Sequence, residues 1–444
     1  MTNLIIFLVG LAIMLALMMK TKLGPFNCML IAAVGIGMAC SLGASTAIST
    51  TVDGFAGTCK SIGLLVIFGT ILGSYLEKSN ACQRIAASLL KVSGRKHSIA
   101  AMAATGYLVA IPVFSDVAMV LLSPLIKSVA RKSGKNACTL GTVTACSLLS
   151  TNAYVAPTPA PLAVVAVLGL DVGTSIIWGL PCALFITICV CLFGKFYLDR
   201  KPDSWFVQLE SEQEKVVRDD IPESEMPSFI RAIIPILLPI LLILIASVCD
   251  AVLPEDHPFL PVVDFLGNKN IALALGVVSS VLCLSRFLPE KERFAPMNDS
   301  LKTAGPIVFI TAAGGALAKI VSATGVGDTL ADMLVNSPIP VLLIPCLITG
   351  FSKFAQGSAS VAALLAAGLS VPLCEAGLMT PLEAFLSISA GSSLGSHVNN
   401  SFFWVFSEFM GYDAKTTMKT LCVGQNIVMT LAGIISLYIV SLVA

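Results

Sequence analysis

Two stretches gather the side chains of this chain that could do chemistry. The first holds Ser147, Ser150, Thr151, Asn152, Tyr154 and Thr158, among Pro157, Pro159 and Pro161. The second holds Ser392, Ser393, Ser396, His397, Asn399 and Asn400, with Trp404 just beyond. Two shorter interruptions accompany them, Pro112-Val113-Phe114-Ser115-Asp116 and Lys353-Phe354-Ala355-Gln356-Gly357-Ser358-Ala359-Ser360. Hydroxyls and amides at such places can hydrogen-bond a small polar solute, and Asp116 and His397 can each carry a proton. A nucleophile with an oriented base is not legible. Ser396 and His397 are neighbours, but their segment has no acid to orient the imidazole, so no enzyme is expected.

These groups lie between apolar runs that must position them. Of 444 residues, 56% are hydrophobic and only 12% are Asp, Glu, Lys or Arg. The mean hydropathy is +0.91. Many windows reach the roughly 20 apolar residues that cross a bilayer, so an all-α polytopic membrane protein is expected. Polar, unwound backbone is tolerated at that depth only against protein or a watery cavity, which makes the breaks the candidate working parts. The formal net charge of +1 gives no footprint for nucleic acid. The fourteen cysteines sit mostly inside apolar runs with no CxxC pair, and there are three histidines, so small buried hydrophobes are expected and neither metal nor cofactor.

Basic residues set the expected topology. Spans over 4–19 and 24–43 flank Lys20 and Lys22; residues 44–60 read as an external loop, and 61–77 returns to the basic run 78–97. Residues 98–130 have basic flanks on both sides and read as a re-entrant hairpin with its tip at 111–116, two tight spans being the other arrangement. A broken helix follows over 138–171, then a span over 173–194 and a polar cytoplasmic linker over 197–228. The second half has spans at 229–250, 269–288 and 303–320, a hairpin over 338–371, a broken helix over 383–413 and a closing span over 417–439.

The two halves match at one offset. Ala145, Ser147 and Leu149 fall on Ala390, Ser392 and Leu394, and Ser115 falls on Ser360. Charge gives the sharper test. The basic run 78–97 falls on 323–342, which has Asp328 and Asp332 and no base, whereas 44–60 falls on 289–305, which has Lys291, Arg293 and Lys302. Every side swaps, as two copies of opposite membrane orientation require. Inverted repeats over 1–196 and 229–444 are therefore expected, with hairpin tips and broken helices meeting near the midplane. Half-helix N-termini there suit a carboxylate.

Each singled-out residue has a plainer reading. Asp116 is either a proton carrier or hydroxyl acceptor, or a cap on the second hairpin arm. His397 is either a proton relay or a neutral hydrogen-bonding group. Ser115, Thr151, Asn152, Thr158, Gln356, Gly357, Ser358, Ser360, Ser396, Asn399 and Asn400 either meet a solute or satisfy local backbone. Lys353 is read as reaching a membrane surface, with an offset of a bound carboxylate as the alternative. Phe114, Tyr154 and Trp404 either wall a site or pack.

The motifs Pro112-Val-Phe-Ser-Asp116, Gln356-Gly-Ser-Ala-Ser-Val-Ala362 and Gly391-Ser-Ser-Leu-Gly-Ser-His-Val-Asn-Asn400 with Phe403-Trp404 resemble those of the gluconate permease family, over essentially the whole chain. The resemblance implies a proton-coupled importer of sugar acids or, as in D-serine permeases, small amino acids, in a prokaryotic plasma membrane. It also implies a homodimer in which a transport domain moves against a scaffold. Asn152, Thr158 and Ala160 stand where the family's first break has His, His and Gly; Asn400 replaces an acid, and Lys353 an arginine. Expected partners are thus a small organic anion or zwitterion, protons or alternatively Na⁺, and lipid. Adjacent Asn, Ser and backbone carbonyls at unwound helices could hold the sodium ion. No ring of charge or carbonyl filter suggests a channel, and no GxxxxGK[ST] suggests a pump.

The topology has a direct test. A cysteine introduced as Glu210→Cys, with the native cysteines removed, should label from the cytoplasmic side alone, and both termini from outside. Labelling of position 210 only from outside an intact cell would overturn the orientation.

Overall fold

The computed structural model describes residues 2–21, 23–93, 97–156, 158–208, 222, 225–254, 257–325, 339–398 and 400–443. Helices dominate: α1 (Thr2–Lys20), α2 (Gly24–Ala39), α3 (Ala44–Lys78), α4 (Ala81–Ser93), α5 (Ser98–Val109), α6 (Ser115–Ser133), α7 (Ala137–Tyr154), α8 (Pro159–Leu168) and α9 (Val172–Phe196) make the first half. The second has α10 (Phe229–Val252), α11 (Leu260–Gly267), α12 (Lys269–Leu284), α13 (Ala295–Ala323), α14 (Ile344–Gln356), α15 (Ala359–Glu375), α16 (Pro381–Gly391) and α17 (Ser401–Met410). A last helical run, α18 (Ala414–Ser441), contains two π-helical stretches, Met418–Cys422 and Gly424–Met429. No strand occurs among the described residues, where Gln208 and Tyr412 form an isolated bridge.

Five described helices are long and apolar enough to cross a membrane, and a sixth counts if Ala44–Lys60 and Gly63–Lys78, bent by 42°, are one span. Their outward faces are apolar as well as their inward ones. Leu184, Ile188 and Leu192 of α9 and Leu237, Leu241 and Ile245 of α10 are exposed at four-residue spacing. An apolar face left outside in this way suits lipid rather than water.

Residues 44–60 are helical, which corrects their reading as a loop. Two of their threonines turn the hydroxyl back onto the helix. Thr51 Oγ1 donates to Ala47 O at 2.7 Å and Thr58 Oγ1 to Gly54 O at 3.0 Å. This back-bonding satisfies polar groups without water. Small residues then let α3 and α13 meet closely. A Cβ at Gly54 would lie 2.7 Å from Gly315 O, and one at Gly315 would overlap Thr58 Oγ1. At one end of that contact Lys78 Nζ donates to Asp299 Oδ2 at 2.9 Å.

The first polar break is also shorter than its composition suggests. Residues through Tyr154 stay helical, and only Val155–Thr158 separates α7 from α8. Thr144 Oγ1 donates to Leu140 O and Ser147 Oγ to Val143 O, both at 2.8 Å, so these two hydroxyls are satisfied within the helix. In the second half α16 stops at Gly391, and 392–398 is unwound. Asp328 and Asp332 lie outside the described residues, as do Asn399 and most of the linker after Gln208.

The α3–α13 contact predicts an asymmetry. Gly315→Val should cost about 1–3 kcal/mol through overpacking. Gly305→Ala on the same helix meets nothing within 4 Å and should be neutral or slightly stabilising. Thermal unfolding of the purified variants in lipid measures both. Equal melting of Gly315→Val and wild type would refute the close contact.

Candidate functional site

Four helices begin at one cavity. It has a volume of about 360 Å³ and is walled by the first turns of α6 (Ser115, Asp116), α8 (Ala160, Pro161), α15 (Ser358, Ala359, Ser360) and α17 (Asn400, Phe402). The first N–H groups of a helix have no intrahelical acceptor, and the helix dipole adds partial positive charge there. The four ends are not equal. Pro159 and Pro161 carry no N–H, so α8 offers few donors. The α17 end is capped from within, since Asn400 Oδ1 accepts from Phe402 N at 2.9 Å. On α15 Ser358 Oγ accepts from Val361 N at 3.4 Å, leaving the turn before it for a ligand.

The α14–α15 break turns at Gly357, whose φ of 80° lies in the left-handed region that glycine adopts without strain. The α5–α6 break is held from outside. Asn152 Nδ2 donates to Ala110 O at 3.2 Å and to Val113 O at 3.0 Å. These carbonyls belong to the turn around Pro112. Both amide hydrogens are engaged, so Oδ1 is the acceptor Asn152 can offer the cavity.

Lys353 stands in the last turn of α14 and is 2% exposed. It lines the cavity, which corrects its reading as a residue that reaches a membrane surface. Polar acceptors hold it inside. Nζ donates to Ser392 O at 2.6 Å, to Ser396 Oγ, and to Gln425 Oε1 at 3.5 Å. Ser396 Oγ in turn donates to Gln425 Oε1. Two of the acceptors of Nζ are carbonyl oxygens, so at least two of its hydrogens are engaged.

Of the residues expected from the sequence, Ser115, Asp116, Asn152, Gly357, Ser358, Ser360 and Asn400 share the cavity. Thr151 is buried in α7 and is not among its lining residues. Thr158 Oγ1 donates to Asn152 O at 3.1 Å and Val155 O at 2.6 Å, a backbone role in the break. Ser396 sits behind the wall, bound to Lys353 and Gln425. His397 lies off the cavity; its Nε2 is 3.1 Å from Phe354 O and its ring packs on Phe354. Asn399 and the Gln356 side chain are outside the described residues. Phe114 walls the cavity, whereas Tyr154 and Trp404 do not line it. Sequence reasoning missed Gln425 and Ser389 as lining residues and gave Ser392 and Ser393, within the second break, no individual role. A Gln-Asn pair inside an apolar closing helix was the available signal for the first.

Such a chamber inside a bundle of broken helices defines a multi-pass membrane protein with a central polar site. The chain belongs to the GntP family: the GntP family permease model matches residues 2–443. It is 35% identical to an uncharacterized permease of Haemophilus influenzae, over 96% of this chain and 90% of that one. It is 30% identical to a gluconate permease of Pseudomonas aeruginosa, over 97% and 95% of the two chains. The Gnt-II system L-idonate transporter of Escherichia coli is 28% identical, over 98% of both. Among solved structures, the YdaH transporter of Alcanivorax borkumensis matches with a TM-score of 0.62 at 14% identity, covering 100% of this chain and 99% of that one. MtrF of Neisseria gonorrhoeae matches with a TM-score of 0.64 at 17% identity, covering 90% and 84%. These two show the fold alone.

The Asn152 brace can be tested without a substrate. Asn152→Asp keeps the shape but sets oxygen against the two carbonyls that now receive N–H. It should destabilise the protein by about 1–3 kcal/mol, the cost of unpaired buried polar groups. Thermal unfolding in lipid reads the loss, and a variant as stable as wild type would show that the brace is idle.

Proposed function

We propose that this protein is a secondary importer of a small hydroxylated monocarboxylate, a sugar acid such as gluconate, coupled to inward proton movement. The observation that carries the reading is a buried lysine that lines one chamber together with the first turns of four helices. Membrane-buried charge marks a transport path or a ligand counter-ion, and helix ends of this kind bind carboxylates. The volume of about 360 Å³ lies within the range of small-ligand sites. Serine hydroxyls and the Asn152 oxygen suit the hydroxyls of the substrate. The relatives named for gluconate and L-idonate, both six-carbon hydroxy acids, point to the same class.

Charge balance supports the coupling. Among the described lining residues, Asp116 and Lys353 are the ionisable ones. Empty, the pair sums to zero. A bound carboxylate adds one negative charge, and a proton on Asp116 removes one. The loaded chamber is then neutral again, as a movement through hydrocarbon demands. His397, being off the cavity, is assigned no proton in this scheme. A sodium ion would balance the charge equally and is the alternative.

The helices support the inverted repeat and the moving unit. At the offset of 245 residues, α2 (Gly24–Ala39) falls on α12 (Lys269–Leu284), and α5, α6 and α7 begin within a residue of α14, α15 and α16. Nearly all cavity residues come from the broken helices and hairpins, with Ile310 of α13 the contribution from the long crossed pair. A site carried on one unit can travel as a rigid body past α3 and α13. A homodimer through the outer helices, with both termini external, completes the proposal.

Proteoliposome uptake tests it. Sugar-acid uptake should rise with an inward proton gradient and ignore both sodium and membrane potential. Asp116→Asn should abolish proton-driven accumulation while retaining exchange of internal for external substrate. Uptake that requires a sodium gradient at clamped pH would replace the proton by Na⁺.

A further inference from the structure

The π-helical stretch of α18 brings two neighbouring side chains onto one residue of the unwound segment. Asn426 grips the Ser396 backbone at both ends: its Oδ1 accepts from Ser396 N at 2.9 Å, and its Nδ2 donates to Ser396 O at 2.7 Å. Gln425 takes the Ser396 side chain, accepting from its hydroxyl at Oε1. Neighbours on an α-helix point about 100° apart and do not normally meet one target. The π-helical turn from Gly424 to Met429 widens the helix here, and Gln425 O accepts both the Thr430 N–H and, at 3.1 Å, Thr430 Oγ1. Such local widening is common at functional positions.

The same contacts fix which way the Gln425 amide faces. Its Oε1 receives Ser396 Oγ and Lys353 Nζ, so the flipped amide would press N–H groups against an ammonium. Nε2 therefore points away from Lys353. Gln425 is a cavity-lining residue, as are Lys353 and Ser392. Meanwhile the three hydrogens of Nζ have three acceptors already, in Ser392 O, Ser396 Oγ and Gln425 Oε1. A substrate carboxylate that took Lys353 directly would have to break one of these bonds. The amide of Gln425 offers donors without that cost, and its dipole is aligned by the ammonium behind it.

We propose that Gln425 is a substrate-contacting residue whose Nε2 donates to the carboxylate of the transported acid, with Lys353 and Ser396 setting the amide and Asn426 setting Ser396. Lys353 then acts as a positioning residue and field source rather than as the direct partner. The inference rests on the reading of the protein as a sugar-acid importer and names the contact that reading leaves open.

Gln425→Glu is the discriminating variant. It retains oxygen acceptors for Lys353 and Ser396, so the brace persists, but it removes the donors and adds a negative charge at the carboxylate position. The unliganded variant should melt like the wild type or above it. Its KM for gluconate in proteoliposomes should rise about tenfold or more, a factor equal to 1.4 kcal/mol, and the thermal shift given by gluconate should vanish. Gln425→Met, uncharged and of similar length, is the second variant and should raise KM by about threefold or more, in line with a lost neutral hydrogen bond. An unchanged gluconate KM and thermal shift in a folded variant of either kind would overturn the contact and leave Gln425 a structural brace. A wild-type protein that neither binds nor moves any sugar acid would defeat the functional reading itself, and this inference with it.

Discussion

A lysine buried in a membrane protein must find acceptors, and a carbonyl inside a regular helix, already receiving one N–H, has only a second lone pair to offer. The unwound run after α16 meets the need, since Ser392 O and Ser396 Oγ both receive Lys353 Nζ. The dependence runs the other way too. Unwinding at this depth exposes peptide groups that cannot reach water. Asn426 mimics a peptide and pairs both groups of Ser396, while Lys353 occupies Ser392 O. Break and cation therefore satisfy each other. Removing either leaves a buried group unpaired, which costs more than the bond itself contributes.

The two halves solve the problem of a helix break with different chemistry. In the first half the tip carbonyls of Ala110 and Val113 are closed by a neutral amide, Asn152, reaching from α7. In the second half a cation reaches from α14. At the sequence offset of 245, Lys353 falls on Leu108 and Asp116 on Val361. Each charge thus has an apolar counterpart in the other half. Helix starts recur at this offset while the charges do not, so Asp116 and Lys353 line the chamber from different halves of the chain.

The breaks were legible in the sequence because proline, glycine and clustered polar side chains interrupt a helix wherever they fall in an apolar chain. Asp116 and the serines around Gly357 followed from the same signal. Three features did not. Residues 44–60 look like a loop by composition, but their threonine hydroxyls fold onto carbonyls one turn back, a bond that no propensity scale records. Lys353 sits beside a break, and the length of its stem says only how far it reaches, not whether it turns to the surface or to the core. Gln425 lies in a run whose apolar period continues past it, and only a local widening of the helix turns it and Asn426 onto one residue. His397 shows the opposite error. It lies inside the most specific motif of the chain, yet its ring packs at a tilt against Phe354 and does not line the chamber. Proximity along an unwound segment does not fix direction, because successive residues there have no common axis.

Several polar groups that composition places near a ligand are already committed to the backbone. Thr158 closes the break between α7 and α8, Asn152 gives both hydrogens to the tip, and Asn400 caps α17. What remains for a solute is an amide oxygen on one wall, serine hydroxyls at the starts of α6 and α15, and the first N–H groups of two helices. Hydroxyls rotate and serve as donor or acceptor, so such a wall accepts several hydroxyl patterns on one carbon chain. The carboxylate end has no such freedom, because fixed N–H groups and a fixed cation define where negative charge is favourable. Discrimination should therefore be strict for the acid group and permissive for the stereochemistry of the chain, since only the first depends on groups that cannot turn.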